Sequence, residues 1–207
     1  KEYDNIFLNK NIIISIDFKT NENCNGIQYL TKEQTRTKSY PFMFTQCEAI
    51  LCRILFPIQD TPSVKSTYKV KTSISSPLTF LFGGILKSHY YDCATKKKIN
   101  YFEQNIPIPS YLVAFVAGEL EFAKISNRCG VWTEKGLASL AAKAFIDAEK
   151  YIEIAEKYLN HPYEWKIYNI LVLPFSFPFG GMENPNLTFV TPALLAGDKS
   201  MSNVIRS

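Results

Sequence analysis

Near Glu121 the chain changes texture, and that change governs what each half can become. Up to about Glu121, short runs rich in Ile, Val, Phe, Tyr and Thr recur between turn clusters: Ile12 to Phe18, Tyr68 to Ser73, Thr79 to Leu86, Asn100 to Gln104 and Leu112 to Ala117. Such residues suit a pleated, half-buried surface, so this half predicts a sheet domain. Beyond it, Leu137, Leu140, Ala141, Ala144, Phe145, Ala148, Ile152, Ala155 and Leu159 recur at three- and four-residue steps. That period predicts one long amphipathic helix, with Thr133 as its N-cap, Glu134 in its first turn and His161-Pro162 as its stop. Asn169 to Leu173 and Leu187 to Val190 then read as strands, and Asp198-Lys199-Ser200 as the cap of a further helix. No internal repeat or low-complexity tract interrupts this order, and the pattern is that of an α+β chain.

Composition narrows the function. With 207 residues and 46% hydrophobic content the chain can bury a sizeable core. Lys and Arg outnumber Asp and Glu by 23 to 19, a scattered balance of +4 that argues against nucleic acid. Lys96-Lys97-Lys98 reads as a solvated turn. Apolar runs are broken by Pro or charge well before the roughly 20 residues of a membrane span, and Lys1 to Lys10 lacks the apolar core of a signal peptide. Five cysteines (Cys24, Cys47, Cys52, Cys93, Cys129) without CxxC spacing suit free thiols in a reducing compartment, so a cytoplasmic location is expected. Asn186-Leu187-Thr188 is formally a glycosylation sequon, a short pattern that carries little weight. His89 and His161 lack a partner at i+4 and read as surface or capping residues.

Phe177-Pro178-Phe179-Gly180-Gly181-Met182-Glu183-Asn184-Pro185 places a flexible Gly-Gly backbone and one carboxylate between two apolar runs. Alone, a Gly-Gly pair is usually a turn and a loop Glu is usually solvated. Gly180-Gly181-Met182-Glu183-Asn184, however, fits the Gly-x-Met-Glu-Asn exopeptidase motif of peptidase family M1, the zinc aminopeptidases. Leu173-Pro174, Leu187 to Pro192 and Leu194 to Ser200 resemble its leukotriene A(4) hydrolase branch. Upstream, Phe44-Thr45-Gln46-Cys47-Glu48-Ala49 resembles the family's second substrate segment, and Pro57 to Lys65 and Ile106 to Leu112 are also similar to that branch. The resemblance runs in consistent order from about Gly26 to Ile205. It implies the rear part of the family's mainly antiparallel N-terminal β-sheet domain over residues 1–121. Residues 122–207 would then open its thermolysin-like α/β catalytic domain.

The chemistry implied is recognition of a free α-ammonium. A carboxylate accepting its hydrogen bonds contributes roughly 1.5 to 3 kcal/mol per charged contact. Glu183 and Glu48 are expected around that cation: two like charges repel in the empty site, and a substrate amine relieves what an N-acetylated peptide cannot. Gly180 and Gly181 lack Cβ and would let a peptide pair with the loop backbone as an added strand. Gln46 is expected beside the substrate backbone and Phe179 in the first side-chain pocket, with Cys47, Pro178 and Met182 as positional neighbours and Asn184 holding the turn.

Departures from the family pattern carry expectations of their own. The family's His-Glu-x-x-His zinc motif begins within two residues of Asn203-Val204-Ile205, where this sequence has Arg206 and Ser207. The resemblance thus implies zinc for a full-length parent, no zinc ligand or catalytic residue in this chain, and no peptide hydrolysis by residues 1–207 alone. The family's first strands would precede Lys1, leaving a sheet edge prone to self-association. Glu48 stands where the leukotriene branch commonly has Gln, and Phe179 where it commonly has Tyr. Peptide aminopeptidase is therefore favoured over epoxide hydrolase as the parental activity, with peptides bearing a free N-terminus as partners and neither nucleic acid nor membrane. A rival reading is a non-catalytic module that captures free N-termini.

Overall fold

The computed structural model describes residues 12–21, 23–196, 200 and 205. Three sheets carry the fold. The first is antiparallel, with order β1 (Ile27–Leu30), β2 (Phe42–Thr45), β7 (Phe115–Gly118), β4 (Thr79–Phe82). The second, also antiparallel, sets β6 (Lys97–Pro109) between β3 (Lys65–Ser75) and β5 (Ile85–Asp92). The third runs β11 (Gly181–Met182), β12 (Thr188–Val190), β10 (Tyr168–Val172), β9 (Cys129–Glu134), β8 (Leu120–Lys124). In it β10 is parallel to both neighbours, while its two outer pairs are antiparallel. Mostly antiparallel sheet with few helices is thus the observed class, as the sequence predicts.

Strand β10 explains how the third sheet is buried. Parallel strands joined by helical crossovers are covered on both faces and read as continuous apolar runs, and Ile170-Leu171-Val172-Leu173 is buried throughout. Its side chains alternate between two cores. Leu171 and Leu173 join Phe44, Phe177, Met182 and Phe189 on the face toward the first sheet. Ile170 and Val172 join Val131, Ala141, Phe145 and Ala148 on the face toward the helices.

Several sequence expectations need correction. The single helix is two, α2 (Ala138–Ala144) and α3 (Ala148–Leu159), which follow the short α1 (Cys52–Leu55). Phe145 is 3% exposed and packs with Ala141 and Ala148, so the chain turns at 145–147 to set both helices on the sheet. Thr133 is not an N-cap; it lies inside β9, fully buried. The cap comes from another strand: one oxygen of Glu121 accepts the N–H groups of Gly136, Leu137 and Ala138 at 2.7, 2.8 and 2.7 Å. Burial works against ionising Glu121, but those three donors outweigh it and hold its carboxyl below the usual range. Helix α3 stops at Asn160, in the left-handed region at φ 50°, one residue before the expected His161-Pro162.

Thr79 to Leu86 is two strands, because Gly83-Gly84 carries the chain from the first sheet to the second. A Cβ at Gly84 would lie 2.7 Å from the Glu103 carbonyl oxygen, so glycine is required at that crossing. Leu112 ends a 3-10 turn and β7 begins only at Phe115. Ile12 to Phe18 forms no strand among the described residues, and Ile13 is 92% exposed: an apolar alternating run becomes a strand only beside a partner. Lys97 and Lys98 belong to β6, and only Lys96 is in the turn. Asp198 and Lys199 of the further helix cap lie outside the described residues.

The end of α3 is tied to the β8–β9 turn by Arg128. Its two terminal nitrogens grip Glu156 at 2.6 and 2.7 Å while its Nε donates to Glu149, and the Tyr163 amide also donates to Glu156. The Arg128 hydrogen bonds, aided by the Tyr163 amide, hold the Glu156 carboxyl at about 2 against an ordinary 4.5. A depressed carboxyl stabilises the fold fully above its unfolded value and progressively less as pH falls through the folded one. The unfolding temperature should therefore drop between pH 4.5 and 2, and Glu156→Gln should make that drop shallower; an unchanged slope in the variant would assign the acid sensitivity elsewhere.

Candidate functional site

The loop between β10 and β12 is built on aromatic packing. Leu173 continues the sheet by donating to the Val190 carbonyl, and a tight turn follows in which Phe177 donates to the Pro174 carbonyl. This buries Phe177 and leaves Pro178, Phe179 and Gly180 exposed. The Phe177 ring stands edge-on to Phe44 at 5.9 Å, to Phe189 at 6.4 Å and to Phe179 at 5.7 Å. Edge-to-face pairs at such separations add about 0.5–1.5 kcal/mol beyond the area they bury.

After this anchor, the chain returns as β11. Gly181 pairs with Val190 and Met182 with Phe189, and the Thr191 amide donates to the Gly180 carbonyl at 3.0 Å. Strand β11 is an edge of its sheet, so its other side is unpaired in the sheet. Both glycines are exposed there, with nothing within 4 Å of a Cβ at Gly180. Met182 turns inward at 4% exposure and belongs to the core. Glu183 is exposed, and its carboxylate has no hydrogen-bond or ion-pair partner among the described residues.

A groove of about 990 Å³ opens beside this strand, between α3, the aromatic segment Tyr163 to Tyr168 and the Gly180–Glu183 backbone. Three carboxylates line it: Glu156, Glu164 and Glu183. The first is neutralised by Arg128 and the second lies 3.3 Å from His161. Glu183 alone of the three has no described counter-charge.

The second expected segment follows β2. Gln46 is 8% exposed, and neither its side-chain nitrogen nor its oxygen has a partner among the described residues, a state that buried amides rarely keep. Cys47 is buried in the core with Cys24 and Cys52, where a hydrogen bond with Cys52 and then burial push its thiol far up. It is a packing residue without thiolate character. Glu48 is exposed. The two segments are brought together through Phe44, two residues before Gln46, which meets both Phe177 and Phe189. Among the described residues no hydrogen bond, ion pair or ring contact joins Gln46, Cys47 or Glu48 directly to Pro178–Glu183. Phe179 is half exposed and does not line the groove.

Two side chains to which the sequence assigned no structural role, Asn186 and Gln104, hold the turn after Glu183. Asn186, at φ 63°, donates from Nδ2 to the Trp165 and Ile167 carbonyls, both at 2.9 Å. Its Oδ1 accepts from Gln104, which also donates to the Gly83 carbonyl. The signal was present in part: Asn184-Pro185-Asn186 is a turn sequence, with Pro at the second position and Asn where φ must be positive.

Residues 2–112 match the Peptidase M1 N-terminal domain, and residues 144–207 match the Peptidase family M1 domain. The chain belongs to peptidase family M1. It is 46% identical to a Leukotriene A-4 hydrolase of Xenopus laevis over 94% of this chain and 32% of that protein. It is 45% identical to a Leucine aminopeptidase 2 of Lodderomyces elongisporus over 95% of this chain and 29% of that one. In three dimensions it resembles yeast LTA4 hydrolase in complex with bestatin, with a TM-score of 0.81 and 44% identity over 90% of this chain and 28% of that one. The chain thus spans about a third of the length of the curated relatives it matches. Its sheets correspond to the N-terminal domain and the start of the catalytic domain of that structure.

Among the described residues, no three His, Cys, Asp or Glu side chains gather in a set that fits a zinc ion. No described helix is long and apolar enough to cross a membrane.

Burial of Asn186 at 3% exposure decides the sequon. Passed through a glycosylating secretory pathway, the folded protein should carry no glycan at Asn186. Asn186→Ala should instead lower unfolding stability by at least about 1–3 kcal/mol, the penalty for one orphaned buried polar group. Occupancy by glycopeptide mass spectrometry, with a stability change near zero, would contradict the network.

Proposed function

We propose that this chain is the amine-recognising part of a zinc aminopeptidase that releases N-terminal residues from peptides. The observation that carries the reading is Glu183: an exposed carboxylate without a counter-charge among the described residues, on the groove, directly after a two-residue edge strand where Gly181, with Gly180 just before it, leaves room for a peptide backbone. A peptide adding to that edge would present its α-ammonium near this end of the strand. Gln46, buried and unpartnered, supplies a donor and an acceptor for a substrate, and Glu48 a second carboxylate for the cation. Phe179, exposed and outside the groove, is assigned to the rim of the first side-chain pocket, Pro178 leads into the strand that Met182 anchors in the core, and Cys47 is a core residue next to Gln46 in sequence. The division of the chain at 121/122 belongs to this reading, and it falls within β8, where the third sheet begins.

Zinc belongs to the full polypeptide. When bound it would supply the activated water, and no described residue of this chain is assigned to hold it. Four of the five cysteines are buried free thiols and Cys93 is an exposed one, which supports a cytoplasmic location. Epoxide hydrolysis is the second reading, favoured by the name of the amphibian relative. Glu48 and Phe179 support placing it second. Comparison of aminoacyl-amide with epoxide turnover orders the two, and efficient epoxide opening with negligible amide cleavage would reverse them.

The clamp is tested by titrating a short peptide amide, free or N-acetylated, into the full-length protein. The free amine should bind more tightly, and Glu183→Gln should weaken it by about ten- to a hundredfold, matching roughly 1.5–3 kcal/mol for a charged hydrogen bond. Equal binding of both peptides, or an unaffected variant, would sink the clamp. Free-amine binding that survives chelation of zinc without turnover would instead favour the capture module.

A further inference from the structure

The turn after Glu183 is held from outside its own sheet, by a side chain with no part in the chemistry described above. Gln104 lies in β6 of the second sheet and is 2% exposed. Its Nε2 donates to the Gly83 carbonyl at 3.1 Å and to Asn186 Oδ1 at 3.0 Å, and its Oε1 accepts from the Ile106 amide at 3.3 Å. Asn186 hands the connection on to the Trp165 and Ile167 carbonyls. The network has one consistent arrangement. Turning over the Asn186 amide would set its NH2 against that of Gln104 and its oxygen against two carbonyls, and turning over Gln104 would set its oxygen against Asn186 Oδ1 and the Gly83 carbonyl and its NH2 against the Ile106 N–H.

The turn itself is Asn184-Pro185-Asn186-Leu187, closed by the Leu187 amide on the Asn184 carbonyl at 3.1 Å. Asn186 occupies the position that needs positive φ, which Asn tolerates but does not prefer, so the side-chain bonds help to hold that backbone state. Gly83 lets the second support approach: a Cβ there would sit 3.1 Å from the Pro185 carbonyl oxygen. Glu183 is the residue immediately before this turn, and its carboxylate has no described partner to set its direction. Its aim is therefore set by the backbone that leaves Met182, and that backbone is fixed on one side by β12 and on the other by Gln104 through Asn186.

We propose that Gln104 is a positioning residue which, acting through Asn186, sets the turn that aims Glu183 at the substrate's α-ammonium. This rests on the amine-clamp reading of Glu183. It makes the second sheet, otherwise remote from the groove, part of the geometry of amine recognition. A charged hydrogen bond is directional, and a misplacement of about 1 Å in a site can cost on the order of a hundredfold.

The test uses the full-length protein with leucine p-nitroanilide as substrate, and with leucinol and its des-amino analogue 4-methylpentan-1-ol, neither of which has a scissile amide, as a pair of competitive inhibitors. Gln104→Met keeps the volume, adds no charge and removes the donor. It should raise KM about tenfold with kcat within about threefold of wild type, and bring the two inhibition constants toward each other. Gln104→Glu, whose buried carboxyl is neutral and retains one O–H donor, should lie nearer wild type. Lower kcat in Gln104→Met with unchanged KM and unchanged inhibitor ratio marks a smaller active fraction and would overturn the proposal.

Glu183→Gln, measured in parallel, separates the two layers. A ratio that it leaves intact removes the clamp itself, whereas a ratio lost there but kept in Gln104→Met removes only the positioning role. A measurement without variants covers a Gln104→Met protein that does not fold: leucinol should slow hydrogen exchange of the Leu187 and Ile106 amides together in wild type. Protection of Leu187 with Ile106 unmoved would break the proposed connection.

Discussion

The whole arrangement depends on the contact of Phe44 with Phe177 and Phe189, where the first sheet is laid on the third. All three rings are buried, and each is worth about 1.5–3 kcal/mol in apolar area before ring geometry is counted. The contact decides more than stability. Phe44 precedes the Thr45–Glu48 segment in β2, Phe177 precedes the glycine loop, and Phe189 is the partner of Met182 in β12. Two stretches more than a hundred residues apart thus acquire a fixed relation without any polar group of one touching a polar group of the other. The polar groups are left free, and a site for a charged ligand requires that of them.

A second tie works by hydrogen bonds instead of burial. Gln104 and Asn186 satisfy each other and three carbonyls inside a region where an unmade bond is expensive. Apolar packing is permissive about small shifts, but an amide pair with one consistent orientation is not. The aromatic cluster brings the segments together, and the amide network specifies where the turn between β11 and β12 must sit.

What was legible in the sequence follows from the range of the forces involved. Tyr68 to Ser73, Asn169 to Leu173 and Leu187 to Val190 emerged as strands because their composition and neighbours agree with a sheet. The split of the helix did not emerge, because the 3.6-residue period continues across 145–147 and only the shape of the sheet beneath makes Phe145 a corner. Thr133 looked like a cap by local rule, while the real cap is Glu121, which β8 brings to the start of α2 by pairing with β9. The Gly180–Glu183 loop was legible because Gly180-Gly181-Met182-Glu183-Asn184 fits the exopeptidase motif of family M1; by composition alone it reads as a turn with a solvated Glu. Gln104 was not: one polar residue in an alternating strand looks solvent-facing until the fold shows that it is buried. Asn186 was misleading for the same reason, since its sequon presumes a surface that the structure does not give it.

An open sheet edge invites association with other chains, and the form of β11 answers that hazard in physical terms. Strand β11 has only two residues, Gly181 and Met182, with Pro178 three residues before it and Pro185 three residues after. Proline cannot donate to a ladder, so neither flank extends readily as a strand. Glu183 then places a charge at the end of the available edge, which disfavours an indiscriminate apolar strand and favours one that begins with a cation. Shortness, flanking prolines and a terminal carboxylate would each reduce aggregation. Together they leave only a short edge ending in a charge, so on the proposed reading the features that protect the edge are the same ones that would define its ligand.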